Sequence, residues 1–202
     1  MKKHFLFLLF GLIVYTVNSQ VSISPKFGFN VSNFIGDYTD SKARLKVQIG
    51  AIFNFKVNDS FFFQPGILYT GKGCTFDYGY GDKDAYTLNY LEFPINGVLN
   101  LELGTGNLQL FTGPYLGICL SGKYKYLSDE NNDSENINIG TSYDDDIKPS
   151  DSGINIGLGY LFQKLQIQGG YGRSLISISS NKRADLKNSL MYLNFAYFLN
   201  SN

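Results

Sequence analysis

The 202-residue chain carries a single histidine, His4, within its first few residues. Beyond it no imidazole is available. Ser-His-Asp and Cys-His nucleophile systems and His-containing zinc sites are therefore excluded, and no enzyme is expected. The segment "GICLSGKY" (117–124) approaches a phosphate-binding loop through Gly117, Gly122 and Lys123, but Tyr124 stands where Ser or Thr should hold Mg²⁺ and no helical pattern follows. It reads as the end of a strand. Cys74 and Cys119 are the only cysteines. Export to an oxidising compartment would permit a disulfide between them. Their expected strands are separated by a third, however, which sets them roughly 9–10 Å apart, beyond the ~7 Å that a bridge tolerates. Two separate thiols are expected unless residue 74 folds inward over the rim.

Carboxylates supply the remaining chemistry. Residues 127–151 hold Asp129, Glu130, Asp133, Glu135, Asp144, Asp145, Asp146 and Asp151, opposed only by Lys148. Asp144, Asp145 and Asp146 are weak candidates for a hard cation such as Ca²⁺ or Mg²⁺. No EF-hand spacing is present, and the expectation is a solvated, mobile external loop without a metal or other cofactor. Glu92, inside the apolar run "YLEFP", is expected to partner an interior Lys, Asn or Tyr hydroxyl.

The elements that must position these residues are strands. "VSISPKFGFNVS" (21–32) places Val21, Ile23, Pro25, Phe27, Phe29 and Val31 on one face and Ser, Lys26, Gly and Asn30 on the other. Successive strand side chains point to opposite faces, so this is a strand with one apolar side. The pattern recurs over 45–57 (with Ile52 as an apolar exception on the polar face), 60–73, about 86–102, about 107–121, 152–162, about 164–174 and about 188–199, the facing of the last two being less definite. Eight strands of this length match the ~9–11 residues that a tilted strand needs to cross a bilayer, where strands of soluble proteins run ~5–6. Short connections (58–60, 104–106, 163–164) alternate with long ones (33–44, 74–85, 122–151, 175–187). In an up-and-down barrel this gathers all long loops at one end, as in outer-membrane barrels.

The composition of the two faces separates lipid from core. The polar faces carry Gly, Ser, Asn and Gln, with Lys26, Lys46, Lys56, Gln64, Glu92 and Asn96 among them. Small polar side chains suit the lumen of an eight-stranded barrel, which they fill. The opposite faces carry no charge across mid-strand, where a lipid-facing charge costs about 2–4 kcal/mol. The expected fold is all-β: an eight-stranded antiparallel up-and-down transmembrane β-barrel, its Phe27 face in lipid and its Lys26 face inside. Several tyrosines, among them Tyr69, Tyr90, Tyr192 and Tyr197, are placed to supply interfacial girdles.

Met1-Lys2-Lys3, the apolar run Phe5 to Val17 and Asn18-Ser19 have the three regions of a secretory signal peptide. Residues 1–19 are expected to be removed, leaving 20–202 as the barrel domain. Of 17 basic residues the leader takes Lys2 and Lys3, so 15 remain against 17 acids, a formal charge of −2 with no basic field for nucleic acid. Charged residues make up 17% of the chain, below the roughly 25% of soluble domains.

"FQPGILYTGKG" (63–73), "LNYLEFPIN" (88–96), "GPYLG" (113–117), "GINIGLGYLF" (153–162) and "YGRSL" (171–175) together resemble the PorT-like outer-membrane β-barrel proteins of Bacteroidota. The resemblance implies an outer-membrane barrel and no single activity. Gly66 departs from it, standing where the pattern usually has an acid after Gln-Pro. That removes one lumen charge and weakens the case for a lumen salt-bridge network. The functional expectation is a non-enzymatic, monomeric barrel in the outer-membrane bilayer, with a structural or protein-interaction role through its external loops, chiefly 122–151. The alternatives are a narrow channel or small-ligand carrier using a polar lumen, and a soluble lipocalin-like binder.

Overall fold

The computed structural model describes residues 21–37, 41–79, 82–128, 132–142, 144–181 and 183–199. The leader expected over 1–19 lies outside them, as do Asp129 and Glu130. The strands are β1 (Val21–Gly36), β2 (Ser41–Lys56), β3 (Phe61–Lys72), β4 (Cys74–Gly79), β5 (Asp82–Leu103), β6 (Gly106–Leu127), β7 (Asn132–Asn136), β8 (Ser150–Phe162), β9 (Leu165–Ser174) and β10 (Leu186–Tyr197). Gly73, at φ 137°, separates β4 from β3, and the two run end to end as one wall strand against β5. Among the described residues β7 pairs only with the upper part of β6. The remaining ladder is a ring of eight: β1 with β2, β2 with β3, β3 with β5, β5 with β6, β6 with β8, β8 with β9, β9 with β10, and β10 back to β1 from Lys26↔Ala196 to Gly36↔Leu186. Every pairing is antiparallel, and the closed ladder leaves no backbone edge for hydrocarbon to meet.

The alternation fixes which side is which. Phe27, Ile49, Ile67, Ile95, Leu116, Ile156, Ile167 and Leu193, one from each wall strand, all point outward and are exposed. Their neighbours Lys26, Gln48, Gln64, Asn96, Gln109, Gln168 and Asn194 are buried inside. Phe27 is 44% exposed and Gln48 4%. A soluble lipocalin-like barrel needs the reverse. Tyr69 and Tyr197 lie on the outer face, whereas Tyr90 is wholly interior.

Two sequence expectations need correction. Within 33–44 and 74–85 the described residues are largely strand rather than loop: Phe34 faces Asn188, and Ser41 faces Phe76. Among the described residues the longer non-strand connections lie within 137–149 and 175–185, and they fold over the mouth. Ile137, Ile147, Ile178 and Leu186 form one buried apolar cluster with Phe34, Leu88 and Tyr90. Ile147 also bridges Ile139 and Ser179 through the backbone. The acidic segment is thus anchored by its isoleucines rather than free in solvent. Near the mouth, Leu120 is an extra residue in β6 opposite the Asn89/Tyr90 step. Such a bulge changes which residues face inward, so Gly122 and Tyr124 continue the inner face above Cys119.

Candidate functional site

Four charged residues are buried among those described: Lys26, Lys72, Glu92 and Asp151, two of each sign. In the turn-side half, the Lys26 ammonium donates to Gln168 Oε1 at 2.9 Å, and Gln168 Nε2 donates to Gln64 Oε1 at 3.4 Å. Gln64 in turn donates to Asn54, and Asn54 to Ser24 Oγ at 3.0 Å. Asn194 Nδ2 donates to Gln48 Oε1 at 2.8 Å, and Gln48 reaches Thr70 at 2.9 Å. These residues come together from five strands only because each inward face is polar. A cavity of about 10 Å³ lies beside Lys26, Gln48, Glu92 and Asn96, room for roughly one water-sized sphere.

Above this layer sits a charge cluster that the sequence did not announce. Lys72, fully buried, places its ammonium 2.6 Å from Glu92 Oε1 and 2.9 Å from Asp151 Oδ2. The same nitrogen lies 4.5 Å from the Tyr115 ring centre and 5.0 Å from that of Tyr90. Asp151 accepts from Ser174 Oγ at 2.6 Å and from Asn188 Nδ2 at 2.9 Å, so its carboxylate is held from two further strands. The Tyr115 ring packs against Gly153, where a Cβ would collide with it. The salt-bridge network weakened in expectation by Gly66 is therefore present, built on Lys72. Gly66 has its own explanation. A side chain there would begin 3.0 Å from Ile52 Cγ2 and 3.2 Å from Pro94 Cγ. Ile52, the apolar exception, is paired directly with Gly66 and fills the space an acid would take.

Gln64, Glu92, Asn96 and Lys26 thus lie in the interior, Glu92 against Lys72. Lys46 is half-buried and donates to Thr87 Oγ1 at 2.8 Å, beside Arg44, which bonds Thr87 and the Tyr86 carbonyl at the β3/β4 break. Lys56 is corrected: it is the last residue of β2, exposed at the turn end, where it pairs with Asp59 at 2.8 Å. Its strand ends before the wall can enclose it. Asp151 is also corrected, from loop acid to fully buried residue of β8. Cys74 and Cys119 are buried free thiols, with no bridge between them. Asp145 accepts from the Ser142 amide at 2.7 Å and Asp146 from the Asn138 amide at 3.0 Å. Among the described residues no three carboxylates, thiols or imidazoles converge as a metal site.

A sizeable opening lies at the loop end. A cleft of about 540 Å³ lies there, lined by the rings of Phe34, Phe76, Tyr86 and Tyr124 together with Glu135 and Asp144 to Asp146. Outside the apolar belt nearby, the Lys42 ammonium bonds Asp77 at 2.7 Å and holds that carboxyl below its ordinary pKa.

A family model described as "Outer membrane protein beta-barrel domain" matches residues 16–180. No curated protein sequence matches the chain. Among solved structures, Neisserial surface protein A is 8% identical, with a TM-score of 0.53 and coverage of 90% of this chain and 100% of that one. Ail, the attachment invasion locus protein of Yersinia pestis, is 14% identical, with a TM-score of 0.48 and coverage of 89% and 99%. The N-terminal β-barrel domain of Pseudomonas aeruginosa OprF is 8% identical, with a TM-score of 0.38 and coverage of 88% and 100%. At such identities the likeness to Neisserial surface protein A is one of fold alone.

Proposed function

We propose, because the chain belongs to the outer membrane protein beta-barrel domain family, that it is a non-enzymatic, non-conducting barrel that presents its loop-end surface to a protein partner outside the cell. One observation carries this reading: the interior is filled at two levels by hydrogen-bonded side chains and then capped, while the cleft above the cap faces away from the membrane. A channel needs a continuous polar path, and the side chains that would line it bond one another instead. Barrels with this asymmetry keep their short turns in the periplasm and their longer loops outside. We read the strand phrases over 63–73, 88–96 and 153–162 as those of a PorT-like member. The chain reaches the outer membrane through a leader cut after Ser19.

Two measurements test this. In planar bilayers the purified protein is expected to give no discrete conductance steps; stable steps at low voltage would overturn the closed-lumen reading. In intact cells, a photo-crosslinking residue at Ser134 or Arg183 on the loop end is expected to yield a discrete protein adduct, and one at Asp59 or Thr105 in the turns none. Adducts from the turns alone would place the working surface on the periplasmic side. The mass of the membrane-extracted protein is expected to correspond to a chain beginning at Gln20; a mass including residues 1–19 would show an uncleaved anchor.

A further inference from the structure

The loop-end cleft combines two chemistries, aromatic rings and carboxylates. Tyr86 stands at the centre of the rings. Its ring centre is 6.1 Å from Phe34, 5.8 Å from Phe76 in an edge-to-face arrangement, and 5.1 Å from Tyr124. The Tyr124 hydroxyl donates to Asp84 Oδ1 at 2.6 Å, which fixes that ring and sets a carboxylate behind it. The carboxylates are Glu135, directly across from Tyr124 in the β6–β7 ladder, with Asp144, Asp145 and Asp146, and no Lys or Arg lines the cleft among the described residues. Asp145 and Asp146 are tied to backbone amides. Glu135 and Asp144 are exposed and make no hydrogen bond or ion pair among the described residues. Lys148, the base nearest in sequence, has its ammonium held by the Ser177 carbonyl at 2.8 Å.

Aromatic faces are negative at their centres and attract cations. Carboxylates beside them add negative charge that favours a cation at the same opening. A volume of about 540 Å³ lies within the ~300–1,000 Å³ of small-molecule sites. It admits a long side chain with its flanking backbone, more than a bare ammonium head requires.

We propose that this cleft takes an organic cation, the guanidinium or ammonium side chain of a basic peptide segment carried by a protein partner. The proposal rests on the display reading above and names the chemistry of its surface. Rings from β1, β4, β5 and β6 receive the face of the cation and its methylene stem, and Glu135 and Asp144 close over its charge.

The test uses the full-length protein folded in detergent micelles at 150 mM NaCl, titrated calorimetrically with acetyl-Gly-Arg-Gly-Gly-Arg-Gly-amide. The expected result is saturable binding, at least tenfold weaker for the same peptide with citrulline in place of arginine. The Glu135→Gln/Asp144→Asn variant is expected to bind at least tenfold more weakly with an unchanged circular dichroism spectrum, since neither carboxylate supports the fold. Tyr86→Leu is expected to weaken binding three- to tenfold. Equal affinity for the citrulline peptide, unchanged affinity in the double variant, or binding seen only at low salt would each overturn the assignment. Spermidine binding as tightly as the peptide would show a free-amine site and overturn the peptide partner. If loop-end crosslinks form in cells but neither depend on Glu135 and Asp144 nor yield to the arginine peptide, the cation assignment fails and the display reading stands. If the peptide binds but no loop-end adduct forms, the display reading fails alone.

Discussion

Replacing Lys72 with methionine is expected to lower the unfolding free energy by about 3–5 kcal/mol, the cost of leaving buried charge uncompensated. The ammonium is the cation common to Glu92 and Asp151, at 2.6 and 2.9 Å. Methionine fills similar volume, so the loss reads charge rather than cavity. Both carboxylates would then share a pocket roofed by Tyr90 and Tyr115 rings, with Lys26 bonded to Gln168 as the remaining buried cation described. The measurement is urea unfolding in micelles, followed by the mobility difference between folded and unfolded chains on gels. The triple variant Lys72→Met/Glu92→Gln/Asp151→Asn removes charge of both signs and is expected to recover most of the loss, because the amide at 151 can still accept from Ser174 and the Asn188 amide, whose Oδ1 has no partner, can turn to accept from it. A single variant that loses less than about 1 kcal/mol, the scale of a solvated surface pair, would show that the cluster is not the sealed ion pair its geometry describes.

Ile156→Arg is expected to cost about 2–4 kcal/mol, the penalty for a cation on the lipid face at mid-membrane. Ile156 is the central residue of β8, outward-facing and 59% exposed. In a soluble protein an exposed isoleucine exchanged for arginine would change stability by little, within about 0.5 kcal/mol. The size of the loss therefore reports the solvent around the barrel. The companion variant Leu127→Arg, at the far tip of β6 above the apolar belt, is expected to cost about 0–1 kcal/mol, because the penalty falls with distance from the midplane. Equal, small effects at both positions in bilayers would contradict a membrane-spanning outer face.

The wall strands were legible because period-two alternation leaves a mark at every residue, and a slip of one would turn each strand inside out. Phe27 out and Lys26 in follow from that alone. The charge cluster was not legible for a different reason. Lys72 and Asp151 are 79 residues apart, and nothing local sets Lys72 apart from Lys46 or Lys56 on the same kind of polar face. Asp151 looked like the last acid of a loop because Ser150, Ser152 and Gly153 around it carry no apolar signal. Ile52 and Gly66 were visible as two separate irregularities; the register of β2 against β3 makes them one complementary pair. The cap was hidden for a similar reason. Ile137, Ile147 and Ile178 are isolated apolar residues in polar surroundings, and only closure of the ring brings them over one opening.

The two sulfhydryls have a consequence for the history of each molecule. Cys74 and Cys119 are reduced and enclosed beneath the cap, yet a chain bound for the outer membrane crosses a compartment that oxidises thiols. Reaction needs access to the thiolate, and the finished barrel withholds it. Vulnerability is thus confined to transit: a molecule that lingers unassembled risks a wrong crosslink, and one that inserts promptly carries its cysteines beyond the reach of the oxidant.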